Sequence, residues 1–111
     1  MINTNLKIYV AGHNGLVGSA IVRELKKKGY KKIIVASREK LDLANQLSVL
    51  RFLKKNKPDF IFLAAAKVGG IYSNNKYKAD YIYENLAIQL NVINGAYLSG
   101  IKNLIFLGSS C

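Results

Sequence analysis

The feature that most constrains the fold is a glycine-rich turn between an apolar run and a helical pattern near the start of the chain. The run Leu6–Ala11 leads directly into Gly12–Gly18, which reads GHNGLVG and has the spacing G-x-x-G-x-x-G. Glycines permit a tight reversal, let backbone amides approach a pyrophosphate and let the helix pack closely on the strand. The helix N-terminus adds unpaired N–H groups and a partial positive charge. This context favours dinucleotide binding over the alternative, a plain glycine-rich turn.

The rest of the chain alternates between apolar runs and helical patterns. Four continuous apolar runs, typical of strands buried on both faces of a parallel sheet, lie at Leu6–Ala11, Ile33–Ala36, Phe60–Ala65 and Leu104–Leu107. Helical patterns separate them, at Gly15–Lys28, Ala44–Asn56 and Ala79–Leu98. The alternation predicts right-handed βαβ units. We expect an α/β fold of the Rossmann type, a doubly wound parallel sheet with helices on both faces, in which residues 1–111 form the N-terminal part of a dinucleotide-binding domain truncated after about the fourth strand.

The end of the second predicted strand indicates which dinucleotide is preferred. An acid at this point would bind the adenosine ribose hydroxyls of NAD, whereas an Arg accommodates the 2′-phosphate of NADP. The chain reads Ala36-Ser37-Arg38 here, and Ser37 and Arg38 can both donate hydrogen bonds to a phosphate. We therefore predict NADP(H). Two alternatives stay open: Glu39 could take the role of the acid, and Arg38 could be a solvated surface charge.

The charge pattern indicates which class of ligand is favoured. Lys and Arg number 17 against 6 acidic residues, for a formal net charge of +11. The Lys residues are dispersed near predicted helix ends, where they stabilise the negative end of the helix dipole, and they greatly outnumber Arg. The pattern favours an anionic small ligand over nucleic acid.

We also expect no membrane partner, no secretory signal and no metal site. The apolar runs are far shorter than the roughly 18–20 residues of a membrane span, and the N-terminus shows no small-residue cleavage pattern. The single cysteine, Cys111, cannot form an intramolecular disulfide and fits the reducing cytoplasm, where we expect the protein to be located.

Small residues follow the third predicted strand, where the sequence reads LAAAKVGGI from Leu63. They would leave space for a cofactor across the carboxyl ends of the strands, although close packing of a helix is the alternative. Together with AGHNGLVGSAIVREL, LDL at 41–43, NN at 74–75, ADYIYEN at 79–85 and FLGSSC, this segment carries a resemblance over nearly the whole chain. The chain resembles the extended short-chain dehydrogenase/reductases, and among them the GDP-L-fucose synthase family.

The resemblance implies a reaction and a set of site residues. Members of that family epimerise GDP-4-keto-6-deoxy-D-mannose at C3 and C5 and then reduce the C4 ketone with NADPH. Here the resemblance places Gly12–Gly18 at the pyrophosphate and Arg38–Leu43 along the adenosine. The predicted cofactor-binding residues are Gly12, His13, Asn14, Gly15, Leu16, Val17, Gly18, Arg38, Glu39, Lys40, Leu41, Asp42, Leu43, Leu63, Ala64, Ala65, Leu107, Gly108, Ser109 and Ser110.

The resemblance also implies two catalytic residues and a homodimer. Ser109 would hold the substrate ketone oxygen, and Cys111 would serve in the proton transfers of epimerisation, a role that a thiol of lowered pKa can perform. The alternatives are a polar strand-end turn for Ser109 and Ser110 and a spectator thiol for Cys111. The family forms dimers through helices that include the one matching Ala79–Leu98.

The chain departs from the family where the proton donor is expected. The family carries a Tyr-x-x-x-Lys pair, and further on a His, beyond the segment that matches GSSC, and this sequence stops at Cys111. Tyr72 and Lys76 have the same spacing but precede the Ser-bearing strand, in a stretch that we expect to be a loop. Asn85 either supports the active site, as its counterpart does in the family, or faces solvent.

We therefore expect an N-terminal portion of a GDP-L-fucose synthase that shows no turnover alone and is marginally stable, with an exposed sheet edge. The alternatives are another nucleotide-sugar epimerase or dehydratase and a non-catalytic nucleotide-binding module.

Overall fold

The computed structural model describes residues 3–64 and 75–107, and within them strands and helices alternate. The elements in chain order are β1 (Lys7–Ala11), α1 (Leu16–Lys27), β2 (Lys32–Ile34), α2 (Gln46–Asn56), β3 (Phe60–Leu63), α3 (Asn75–Leu98) and β4 (Asn103–Phe106). The predicted α/β alternation is confirmed.

The ends of several elements differ from the sequence-based predictions. β2 stops at Ile34 instead of Ala36, because Ile34 is the last residue of β2 that pairs with β1. β3 similarly ends at Leu63, short of the predicted Ala65, which lies outside the described residues. α2 begins at Gln46 instead of Ala44 because the side chain of Asn45 accepts a hydrogen bond from Ser48 N at 3.0 Å and caps the helix.

Further differences concern the start of α3 and the position of β4. α3 begins at Asn75, earlier than the predicted Ala79, so Asn75 and Lys76 are helical where we expected a loop. β4 runs over Asn103–Phe106, one position before the predicted Leu104–Leu107, because its pairing with β3 starts at Phe60 and Asn103.

The sheet is parallel throughout, and its strand order in the described residues is β2-β1-β3-β4. The chain leaves β1 towards one side of the sheet and, after β2, crosses back to add β3 and β4 on the other side. Right-handed crossovers then place α1 on one face and α2 and α3 on the opposite face. β1 and β3 therefore flank the point at which the winding reverses, which is where open α/β sheets bind their ligands.

The main core lies between the sheet and the pair α2 and α3. Alternate residues of the central strands face it, and it contains Tyr9, Ala11, Leu41, Val49, Leu53, Ile61, Leu63, Val92 and Ala96. The two helices approach closely because α3 carries a glycine at the contact, where a Cβ on Gly95 would lie 3.0 Å from Leu53 Cδ1. The Tyr9 ring packs 4.9 Å from that of Phe52, and burial raises the pKa of the Tyr9 phenol well above its usual value.

One face of α3 is apolar but does not join this core. Its exposed residues are Tyr83, Leu86, Leu90, Ile93 and Tyr97, with Leu90 65% and Tyr97 81% exposed. The contact with the core is made instead by the smaller Val92 and Ala96. The apolar residues whose spacing predicts this helix therefore lie mainly on its exposed face and not on the face that packs against the core. None of the described helices combines the length and the apolar character needed to cross a membrane.

Candidate functional site

A cavity of about 210 Å³ lies at the carboxyl edge of the sheet, where β1, β2 and β3 end. Segments distant in sequence meet there: the turn after β1, the loop after β2, the end of β3 and one face of α3. The lining residues are Gly12, His13, Asn14, Gly15, Ala36, Arg38, Leu41, Asp42, Leu43, Ala44, Ala64, Glu84 and Ile88. The cavity thus coincides with the point at which the winding of the sheet reverses.

The glycine-rich turn forms one wall of the cavity. Gly12 adopts a φ of 89°, in the left-handed region that favours glycine, and its carbonyl oxygen accepts a hydrogen bond from Gly15 N at 3.1 Å. Gly15 is the N-cap of α1, so the first amides of the helix open next to the cavity. Such amides bind phosphate groups.

Gly18 supports the turn from behind. It is buried in the first turn of α1, and a Cβ placed on it would overlap the Gly12 carbonyl oxygen and lie 2.6 Å from the Gly12 carbonyl carbon. A Cβ on Gly15, by contrast, would be 3.5 Å from the Gly12 oxygen, an ordinary contact. Gly18 is therefore required for the close approach of helix and turn, while Gly15 leaves room on the cavity side.

The loop after β2 forms the opposite wall and is held at several points. The carbonyl oxygen of Ser37 accepts hydrogen bonds from Lys40 N at 3.0 Å and Leu41 N at 2.9 Å. The Leu41 side chain is 5% exposed and belongs to the core. The side chain of Asn91, on α3, donates from Nδ2 to the Leu43 carbonyl oxygen at 2.9 Å. These contacts fix the backbone that carries Arg38.

Three charged side chains line the cavity. The Arg38 side chain is 70% exposed, and its guanidinium lies 3.8 Å from Glu84 Oε1. Asp42 accepts a hydrogen bond from Ala44 N at 3.0 Å through Oδ1, which helps to shape the loop. Among the described residues that line the cavity, Arg38 is the one Lys or Arg. Its guanidinium is therefore the group on this wall that can bind a phosphate.

Two alanines keep the floor of the cavity open at the strand ends. Ala36 follows β2, and Ala64 follows β3 with its N–H bonded to the Ala11 carbonyl oxygen at 2.9 Å. The sequence predicts Ala64 as a cofactor-binding residue, but the predicted residues do not include Ala36. Ala36 directly precedes the Ser37-Arg38 dipeptide, so the small residue at the strand end was an available signal.

Sequence reasoning also missed Ala44, Glu84 and Ile88. Ala44 directly follows the predicted segment Arg38–Leu43, and extending that segment by one residue would have included it. Glu84 and Ile88 are brought to the cavity by α3, far along the chain, and no local pattern marks them. Asn85, beside Glu84 on α3, is half-buried.

Some predicted residues lie near the cavity without lining it. Leu16 and Val17 are 87% and 52% exposed, and Glu39 and Lys40 are also exposed. Other predicted residues have structural contacts that account for their positions. Gly18 packs against the turn, Leu63 is in the core, and Leu107 N donates to the Leu63 carbonyl oxygen at 3.0 Å. The predicted residues that fall outside the described part of the chain are Ala65, Tyr72, Gly108, Ser109, Ser110 and Cys111.

The chemistry of this arrangement suits a dinucleotide with an extra phosphate. A turn with free space beside Gly15 and the start of a helix can hold a pyrophosphate, and the Arg38 guanidinium, which also lines the cavity, can bind a further phosphate. Within residues 3–64 and 75–107, no three His, Cys, Asp or Glu side chains gather in a way that could hold a metal ion.

Comparison with protein families gives a match over most of the chain. The model of the NAD dependent epimerase/dehydratase family matches residues 8–111. GDP-L-fucose synthase 1 from Arabidopsis thaliana is 53% identical over 111 residues, which are 100% of this chain and 34% of that protein. GDP-L-colitose synthase from Yersinia pseudotuberculosis is 38% identical over 106 residues, which are 96% of this chain and 34% of that protein.

Solved structures agree with the sequence comparison. A GDP-mannoheptose C4 reductase from Campylobacter jejuni, solved with NADP bound, superposes with a TM-score of 0.90 at 44% identity. The match covers 97% of this chain and 34% of that one. The chain thus spans about a third of the length of the relatives that it matches.

Proposed function

The chain belongs to the NAD dependent epimerase/dehydratase family, and from that premise we propose that its cavity binds NADP(H). The observation that carries this proposal is the placement of Arg38. The tip of β2 has no acid, and Arg38 lies on the cavity wall opposite the glycine-rich turn. A 2′-phosphate is favoured by an arginine at this position. The related GDP-mannoheptose C4 reductase was solved with NADP bound, which supports the same cofactor.

Different segments would hold the pyrophosphate and the adenosine half of the cofactor. The amides at Gly15 and the start of α1 would receive the pyrophosphate, and Arg38 the 2′-phosphate, with Leu41–Leu43 along the adenosine. Ala36 and Ala64 provide the open floor. When bound, NADPH supplies the hydride for reduction of a sugar ketone. The contribution of the described residues is to bind and orient that cofactor.

For the reaction, we propose the NADPH-dependent epimerisation and reduction of a GDP-linked 4-keto sugar to GDP-L-fucose, with this chain supplying the cofactor-binding part. The named relatives all make or reduce GDP-linked sugars. The Arabidopsis thaliana GDP-L-fucose synthase 1 is 53% identical to this chain, against 38% for the colitose synthase and 44% for the heptose reductase. Within this proposal Ser109 would bind the substrate ketone and Cys111 would transfer protons, as the resemblance implies.

The cofactor proposal is tested by removing the arginine. Arg38→Ala is compared with Arg51→Ala, which removes the same charge from an exposed position on α2. Binding of NADPH and NADH is measured by titration calorimetry. A charge-assisted hydrogen bond contributes about 1.5–3 kcal/mol, so Arg38→Ala should weaken NADPH binding about 10- to 150-fold. NADH binding should stay within about twofold, because NADH carries no 2′-phosphate.

Equal loss of both cofactors in Arg38→Ala, or the same loss in Arg51→Ala, would contradict the role of Arg38. Failure of the wild-type protein to bind either dinucleotide would contradict the cofactor proposal itself.

We further propose that the protein forms a homodimer through the exposed face of α3. The exposed residues Tyr83, Leu86, Leu90, Ile93 and Tyr97 follow one another at alternating intervals of three and four positions. This is the spacing with which one helix packs along another. A second copy of α3 related by a two-fold axis would cover this face.

The dimer is tested by placing a charge at the centre of this face. Leu90→Glu should convert a dimer into a monomer, because an unpaired carboxylate would be buried in the contact. Leu47→Glu, at an exposed leucine of α2, is the matched control and should remain dimeric. Mass is measured by sedimentation equilibrium. A monomeric wild type, or a Leu90→Glu variant that remains dimeric, would contradict this interface.

A further inference from the structure

The side chain of Glu84 joins the cavity from an element that sequence reasoning did not connect with the cofactor. We propose that Glu84 is a specificity-determining residue that reduces the preference for NADP(H) over NAD(H) by competing with the 2′-phosphate for Arg38. The inference rests on the proposed function, since it concerns the same cavity. Glu84 Oε1 lies 3.8 Å from the Arg38 guanidinium, and both residues line the cavity.

The relation between the two side chains follows from the way α3 meets the loop after β2. Glu84, Ile88 and Asn91 lie four and then three positions apart, which places them on one face of α3. Asn91 Nδ2 donates to the Leu43 carbonyl oxygen at 2.9 Å, and Ile88 lines the cavity between the two polar residues. This face therefore holds the loop at one end and presents Glu84 to Arg38 at the other.

The Arg38–Glu84 ion pair is exposed enough for a phosphate to replace Glu84 as the partner of Arg38. The Arg38 side chain is 70% exposed and that of Glu84 is 32% exposed. Ion pairs of this exposure contribute little stability, so a phosphate can take over the guanidinium at small cost. A 2′-phosphate that binds Arg38 is nevertheless brought close to the Glu84 carboxylate, which has the same sign of charge. The 2′-hydroxyl of NAD(H) meets no such repulsion.

The position of Glu84 makes this site different from the usual NAD-binding and NADP-binding arrangements. An acid at the tip of the second strand favours NAD, and an arginine there favours NADP. In this chain the loop after β2 carries Arg38, and the acid that pairs with it, Glu84, lies on α3. Both charges act at one subsite, and we expect the preference for NADP(H) to be smaller than Arg38 alone would produce.

The test is Glu84→Gln, which keeps the shape and removes the charge. The control is Glu24→Gln on α1, because Glu24 also has a cationic partner at 3.8 Å, Lys28, and does not line the cavity. Dissociation constants for NADPH and NADH are measured by titration calorimetry at low and at physiological ionic strength. Glu84→Gln should raise the ratio of the NADH to the NADPH constant about three- to fivefold at low ionic strength, and less at physiological ionic strength.

Glu24→Gln should leave this ratio unchanged. A ratio that is unchanged or lower in Glu84→Gln would overturn the role of Glu84, while wild-type binding of NADPH that depends on Arg38 would still support the proposed function. If the wild-type protein binds neither dinucleotide, the proposed function fails as well. If both glutamine variants raise the ratio equally, the effect comes from net charge and the specific role of Glu84 is excluded.

Discussion

Substitution of Gly18 by alanine should separate the structural from the binding role of the glycine-rich turn. The added methyl group would overlap the Gly12 carbonyl oxygen and lie 2.6 Å from its carbonyl carbon, well inside the 3.4 Å at which ordinary contacts begin. His13 Cα would be 3.1 Å away. All of these neighbours are backbone atoms, which cannot rotate away as a side chain can. Helix α1 and the turn must therefore separate by on the order of 1 Å.

The loss of stability should lie at the upper end of the range found when a methyl group is added to a closely packed site. We expect Gly18→Ala to lower the free energy of unfolding by about 3 kcal/mol, which is a large fraction of the total for a domain of this size. For a chain of this length the loss corresponds to a fall in melting temperature of roughly 10–20 °C. NADPH binding should be lost as well, because the amides of the turn move with the helix.

Gly15→Ala is the matched control in the same turn. Gly15 has a φ of −77° and a ψ of 171°, which alanine adopts readily, and its added Cβ meets only an ordinary contact of 3.5 Å. Its unfolding free energy should therefore change by less than about 1 kcal/mol. Because Gly15 lines the cavity, a methyl group there would narrow the proposed pyrophosphate subsite, and we expect NADPH affinity to fall at least about tenfold.

Urea denaturation followed by circular dichroism measures stability, and calorimetry measures NADPH binding. A Gly18→Ala variant as stable as the wild type would refute the argument from close packing. A Gly15→Ala variant with unchanged affinity for NADPH would refute the placement of the pyrophosphate.

Two further predictions concern the core and the loop after β2. Because burial raises the pKa of the Tyr9 phenol, the unfolded chain loses this proton first, and stability should fall above about pH 10, by up to about 1.4 kcal/mol per pH unit. Tyr9→Phe should flatten this dependence in urea titrations at pH 8–11, while Tyr97→Phe, at an 81% exposed position, should retain it. Asn91→Ala leaves the Leu43 carbonyl oxygen without this donor and should cost about 1–2 kcal/mol and weaken NADPH binding, whereas Asn94→Ala should do neither.

Most of the fold is predictable because local chemistry determines it. The turn at Gly12–Gly18 needs glycine for two separate steric reasons, and the apolar runs mark the strands of a buried parallel sheet. The strand ends are less predictable, since they depend on where a partner strand ends. β2 stops at Ile34 although Val35 and Ala36 continue the apolar run.

The candidate site is likewise predictable from sequence only in part. Its two walls follow from short motifs around Gly12 and Arg38, which the sequence places at strand ends. Its third side does not, because Glu84 and Ile88 reach the cavity only through the packing of α3 against the loop after β2. The exposed face of α3 is a case in which the sequence predicts a helix but not its packing partner. Helical spacing at Leu86 and Leu90 predicts the helix but cannot distinguish a core-facing stripe from a surface for another chain.

The most direct test of the cofactor site is a titration of the ¹⁵N-labelled protein with NADP⁺, followed by amide chemical shifts. We predict that the largest shift changes occur at Gly12–Gly15 and Arg38–Ala44, and that the amide shifts of Lys54–Lys55, at the far end of α2, stay unchanged. Saturation without shifts in these two segments, or shifts centred on the lysine-rich helix ends, would contradict a dinucleotide site at the carboxyl edge of the sheet.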